Sequence, residues 1–257
     1  MVGAYHIIVS NRYVKYEFDI KRNITIIQGN SATGKTTLLE MIREYNEEDD
    51  SGIVLKSDEP CVVLYGKNWK EQLQGIHDSI VFIDESGRFV KSEDFANQIR
   101  YTSNYYVIVS REKLSNLPYS VNEIYGIREN GKYIGLKSQY VLNEFYHIYG
   151  RSPQILYEPD VIITEDSNSG YEFFSNVSEE HCICIQAGGK SRIINLIQDN
   201  KYRNKRILTI VDGAAFGAEM EEVMQYILKC RAGNQEIDCL LPWSDELPDE
   251  FRTKQKK

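Results

Sequence analysis

The chain opens with two short runs in which apolar and polar residues alternate, 5–9 and 14–20, separated by Asn11-Arg12. Alternation of period two around a polar turn predicts a β-hairpin with one covered face. The pattern then changes. Ile24-Thr25-Ile26-Ile27 is an unbroken β-branched run ending at Gln28-Gly29, as expected of a strand covered on both faces. From Lys35 to Tyr45 the period becomes helical, with Leu38, Leu39 and Ile42 as the apolar stripe, and the acidic, polar stretch Asn46–Gly52 closes the helix. Apolar runs recur at Cys61–Tyr65, Ile80–Ile83 and Tyr105–Val109, with a helical pattern over Ser92–Arg100. Strands alternating with helices predict an α/β fold built on a parallel sheet. Glu123–Arg128 and Tyr133–Leu136 flank Glu129-Asn130-Gly131-Lys132 and read as a second hairpin.

Tyr149-Gly150-Arg151-Ser152-Pro153 has the composition of a linker. Beyond it the alternation starts afresh. Strands are predicted at Val161–Thr164, Cys182–Gln186, Ile207–Val211 and Ile237–Leu241, and helices at Gly170–Val177, Ser191–Asp199 and Ala218–Lys229. The tail Phe251–Lys257 reads as frayed. The expected organisation is two α/β domains, residues 1–150 and a smaller 151–257. The total of 257 residues is in keeping with two domains that each bury a core.

Composition narrows the function classes. Hydrophobic residues make up 42% and charged residues 26%, which excludes a disordered chain. No apolar run approaches the roughly 18 residues that span a bilayer, so no membrane partner is expected. The strand-like N-terminus carries no signal-peptide pattern. Five cysteines, with no Cys-x-x-Cys pair, indicate neither a disulfide framework nor a four-thiolate zinc site. Cys182 and Cys184 on one strand face read as small hydrophobes in a reducing, cytoplasmic setting. Residues 1–150 carry 17 basic and 20 acidic side chains, and 151–257 carry 13 and 18, so neither half is a basic domain. Lys190–Arg206 is the local exception, with six basic residues against one acid, and reads either as a solvated face or as a phosphate-facing patch.

Chemistry concentrates after the first buried strand. Gly29-Asn30-Ser31-Ala32-Thr33-Gly34-Lys35-Thr36 fits GxxxxGK[ST] and continues with Thr37. Glycines let successive backbone N–H groups turn inward onto phosphate oxygens, and the helix that follows presents its positive end to the same anion. Lys35 adds a point charge for the β- and γ-phosphates, and Thr36 a hydroxyl for Mg²⁺. An apolar strand before the motif and an amphipathic helix after it are the context this chemistry needs. The bland alternative is a flexible turn with an incidental lysine. Ile80–Ile83 runs into Asp84-Glu85, 49 residues after Lys35. Asp84 is placed to hold Mg²⁺, and Glu85 to orient or deprotonate an attacking water. Arg111, after the next strand and Ser110, reads as a group that senses the γ-phosphate, as an arginine finger for a neighbouring subunit, or as a surface arginine.

On Gly29–Thr36 and Ile80–Glu85, the first half resembles the P-loop ATPases of the broad ABC/AAA+ grouping. The resemblance implies a P-loop NTPase parallel sheet, ATP and Mg²⁺ as ligands, and Lys35 and Glu85 as catalytic residues. It departs from ABC proteins in having no LSGGQ-like signature before Asp84.

The second half orders strand–Glu165, strand–Gly188-Gly189 and strand–Asp212-x-x-x-x-Gly217, with 47 residues from Glu165 to Asp212. This looks like the Toprim fold of topoisomerases, bacterial primases and OLD-family nucleases, and the domain order resembles a shortened OLD-family protein. The resemblance implies Glu165 and Asp212 as metal ligands. Ala214, however, stands where the second aspartate of the Asp-x-Asp pair belongs, with Asp166 and Glu219 as candidate substitutes. Three functions follow as expectations. The first is an ATP-binding protein, an ATPase, whose Toprim-like domain is an effector or docking surface for a partner protein or a second copy. The alternatives are an ATP-regulated, Mg²⁺-dependent nuclease acting on nucleic acid, and a non-catalytic nucleotide-dependent interaction protein.

Overall fold

The computed structural model describes residues 4–29, 34–84, 86–130, 141–149, 158–166, 169–178, 182–232 and 237–240. The predicted hairpin partner Tyr133–Leu136 and the tail lie outside them. The chain divides into two compact α/β units, Met1–Tyr149 and Gly150–Lys257.

The first unit runs β1 (Tyr5–Ser10), β2 (Val14–Ile20), β3 (Ile24–Ile27), α1 (Lys35–Glu47), β4 (Val54–Lys56), β5 (Cys61–Leu64), α2 (Trp69–Gln74), β6 (Ile80–Ile83), α3 (Glu93–Ile99), β7 (Tyr105–Val109), β8 (Ile124–Asn130) and β9 (Val141–His147). These strands make one sheet in the order β4-β1-β2-β9-β8-β3-β7-β6-β5. From β8 to β5 the neighbours are parallel, whereas β4-β1-β2 and β8-β9 are antiparallel. A parallel pairing of β2 with β9 joins the antiparallel wing to the rest.

Every residue of β3, β6 and β7 is buried, which explains their continuous apolar runs. The wing alternates instead. Tyr16, Phe18 and Ile20 of β2 point into the core, where Phe18 stacks on Phe145 at 4.0 Å between ring centroids. Leu38, Leu39, Met41 and Ile42 of α1 cover the same core. The end of α1 is tied to β5 by Asn46, whose Nδ2 donates to the carbonyls of Ile42 and Cys61 at 2.8 and 2.9 Å.

The second unit runs β10 (Val161–Thr164), α4 (Ser169–Val177), β11 (Ile183–Gln186), α5 (Ile193–Ile197), β12 (Ile207–Ile210), α6 (Gly217–Ala232) and β13 (Ile237–Leu240). All four strands are parallel, in the order β11-β10-β12-β13. The chain leaves β10 toward one edge and returns across it to β12, so the topological switch point lies between β10 and β12. Cys182 and Cys184 pack with Phe174 against Ile162, Leu208 and Ile210, and burial raises both thiol pKa values. The helix expected over Ser191–Asp199 is shorter: a 3-10 turn, Lys190–Arg192, precedes an α-helix of five residues.

The amino ends of β10 and β12 are clamped by one ion pair. Arg206 donates from Nη2 to Asp160 Oδ1 at 3.1 Å and from Nε to Oδ2 at 3.3 Å, and its backbone N–H reaches the same Oδ2 at 2.8 Å. These hydrogen bonds hold the Asp160 carboxyl down to about 2. A depressed carboxylate pKa stabilises the fold above the unfolded value, and that stabilisation is lost as pH falls through the folded value. The stability gap between wild type and Asp160→Asn is therefore expected to be constant above pH of about 4.5 and to shrink steadily below pH of about 4. Urea melts across that range measure it, and a gap independent of pH refutes the assignment.

Candidate functional site

In the first unit the carboxyl ends of three parallel strands finish nearly flush. Ile27 of β3 is paired with Val109 of β7, and Ile108 of β7 with Ile83 of β6. Pairing continues to the edge, where Gln28 N–H donates to Tyr125 O at 2.8 Å and Ser110 N–H to Ile27 O at 3.1 Å. Gly29, Ser110 and Asp84 therefore emerge along one edge. Asp84 stands two strand spacings, about 10 Å, from the end of β3.

Gly29 has φ 136° and Gly34 has φ 82°, so both ends of the motif use backbone conformations that side chains resist. Gly34 caps α1, and its carbonyl accepts the Leu38 N–H at 3.0 Å. Lys35 is buried to 6% exposure, with its ammonium donating to the Gly29 carbonyl at 2.9 Å. A side chain from the first turn of α1 thus folds back across the loop onto the glycine that starts it. Thr36 and Thr37 are exposed at the helix start. Asn30, Ser31, Ala32, Thr33 and Glu85 lie outside the described residues.

Asp84 ends in a tight turn. Ser86 Oγ donates to Asp84 Oδ2 at 2.8 Å and Gly87 N–H to the Asp84 carbonyl at 2.9 Å. Ser110, which precedes the candidate sensor Arg111, spends its hydroxyl on its own turn. It donates to Glu112 O at 2.8 Å and accepts the Glu112 N–H at 3.1 Å. Arg111 is exposed beside it.

Sequence reasoning missed Tyr16. From β2 in the wing, its hydroxyl donates to the Gly34 carbonyl at 2.8 Å. The ring is 1% exposed, and burial pushes the phenol up to about 12. The signal available was a polar-tipped aromatic among the inward positions of an alternating strand, since a buried phenol needs a hydrogen-bond partner.

In the second unit, Glu165 and Asp212 follow β10 and β12 and so meet at the switch point. Glu165 Oε2 accepts the Asp212 N–H at 2.9 Å, and Asp212 Oδ1 accepts the Ala214 N–H at 2.9 Å. Burial raises the Glu165 pKa, opposed by the Asp212 N–H and by Lys190 and reinforced by the charges of Asp212 and Glu219. The two candidate substitutes for the missing aspartate are both engaged. Asp166 Oδ2 accepts the Gly170 N–H of α4 at 3.0 Å. Glu219, 8% exposed, has its Oε2 3.4 Å from Lys190 Nζ. Among the described residues, no group of three or more His, Cys, Asp or Glu is arranged to hold a metal ion.

Three of the six basic residues of the stretch 190–206 face acids of the second unit. Lys190 faces Glu219, Lys201 faces Asp199, and Arg206 faces Asp160. No helix among the described residues is long and apolar enough to cross a membrane. No protein-family model and no curated protein matches this chain.

Proposed function

We propose that the first unit binds ATP with Mg²⁺ and hydrolyses it, and that the second, Toprim-like in its order of strands and acids, is the effector or docking module. The observation that carries this reading is the buried Lys35 ammonium, held on Gly29 across a GxxxxGK[ST] loop, at the sheet edge from which Asp84 also emerges. A nucleotide's phosphates offer Lys35 a full negative charge in place of a neutral carbonyl, and the start of α1 favours the same anion. Thr36 and Asp84 supply the hard oxygen donors that Mg²⁺ takes, and one or two protein ligands suffice where phosphates and water complete the shell. When bound, the ion neutralises phosphate charge. Asp84 is kept in place by Ser86, and Glu85 is assigned to the attacking water.

Calorimetry of the full chain with MgATP is expected to give saturable binding at one nucleotide per chain and a raised melting temperature. Glu85→Gln is expected to keep that binding and lose turnover. No binding heat, together with no thermal protection, overturns the reading. Turnover that survives Glu85→Gln removes Glu85 from the mechanism.

A further inference from the structure

The Toprim resemblance calls for a divalent cation between Glu165 and Asp212, and the side chains present do not fit one. A metal-binding cluster needs carboxylate oxygens converging on an empty point. Here Asp212 turns Oδ1 back to its own loop, Asp166 serves the start of α4, and Ala214 contributes no oxygen. What reaches across the switch point is a cation of the chain itself. Lys190 follows β11 on a loop made possible by Gly188 and Gly189, at φ 68° and 133°, and the Gly189 N–H is anchored on the Glu165 carbonyl at 3.0 Å. From there its ammonium donates to the Ala215 carbonyl at 3.0 Å, in the loop that follows Asp212, and lies 3.4 Å from the buried Glu219 carboxylate. That carboxylate oxygen has no hydrogen bond, so the ammonium's charge is its compensation.

We propose that Lys190 is the resident cation of this acidic cluster and that the second unit's site works without a divalent metal. A lysine ammonium 3.4 Å from Glu219 repels a divalent ion drawn to the same group of acids, so the two compete for it. The acids are then held in shape by an internal ion pair, and metal-dependent phosphodiester cleavage is not expected of them. The inference concerns the second unit alone and stands or falls separately from nucleotide binding by the first.

Mn²⁺ titration of the full chain followed by electron paramagnetic resonance tests it, with nucleotide omitted so that Thr36 and Asp84 lack the phosphates that complete their shell. Wild type is expected to show no Mn²⁺ site sensitive to Glu165→Gln or Asp212→Asn. Lys190→Met, which releases the Glu219 carboxylate, is expected to bind Mn²⁺ at this cluster at least about tenfold more tightly than wild type, because the repelling charge is gone. Lys190→Arg, which keeps the charge, is expected to stay like wild type. A wild-type site abolished by Asp212→Asn overturns the proposal, and so does a folded Lys190→Met chain that gains nothing. The wild-type titration decides the matter even where Lys190→Met fails to fold.

Discussion

Lys35→Ala is expected to weaken MgATP binding by about a hundredfold or more while leaving the chain folded. The lysine is buried, and it donates a hydrogen bond to the neutral Gly29 carbonyl. A charge-assisted contact is worth about 1.5–3 kcal/mol net, and more in a site that water leaves on binding. Removing the side chain leaves the Gly29 carbonyl short of one donor, at a cost to the empty protein of about 1 kcal/mol. The loss should therefore fall on affinity and much less on melting temperature. Lys35→Arg is not expected to restore binding, because a planar, delocalised guanidinium does not place a compact charge where the ammonium sits. Competition titration with a fluorescent nucleotide, alongside thermal melts, separates the two effects. Affinity within about threefold of wild type in a folded Lys35→Ala chain would remove the lysine from phosphate binding.

Much of the fold could be read from local pattern because local burial produced it. The runs Ile24–Ile27, Ile80–Ile83 and Tyr105–Val109 are unbroken because helices or the wing cover both faces of those strands. The elements that escaped are those whose existence depends on distant partners. β4 is three residues long and exists by pairing with β1. α2, at six residues, is too short for its period to show. The local pattern pairs β8 with Tyr133–Leu136, which lies outside the described residues; the antiparallel partner among the described residues is Val141–His147. That strand also pairs in parallel with β2, a join across more than a hundred residues that no local pattern encodes. α5 came out short because the glycine loop before it sends the chain into a 3-10 turn and the β-branched Ile193-Ile194 open a weak helix. The candidate sites divide the same way. The order of residues from Gly29 to Thr37 is contiguous and legible. Tyr16 on Gly34, and Lys190 against Glu219, are contacts across 18 and 29 positions that only the folded chain brings together.

Tyr16 and Gly34 make the other large effect, and it is a coupled one. Gly34→Ala is expected to destabilise the chain by about 2–4 kcal/mol, from two sources. At φ 82° an alanine occupies the left-handed region, costing about 1–2 kcal/mol. Its Cβ would also stand 2.7 Å from the Tyr16 hydroxyl oxygen. The phenol has no room to yield, being 1% exposed and donating to the Gly34 carbonyl. Tyr16→Phe alone loses that hydrogen bond, at about 1 kcal/mol. In the double variant the colliding atom is gone, and the nearest ring carbons would lie 3.6 Å from the new methyl, an ordinary contact. Tyr16→Phe should thus cost less in the Gly34→Ala background than in wild type, and should recover part of the stability that Gly34→Ala removed. Urea unfolding of the four proteins in a double-mutant cycle measures the coupling. Strict additivity would mean that the hydroxyl does not press on Gly34 and that backbone strain alone accounts for the loss. Coupling of the expected sign would make Tyr16 the strut that holds the start of α1, and with it Lys35, against the antiparallel wing.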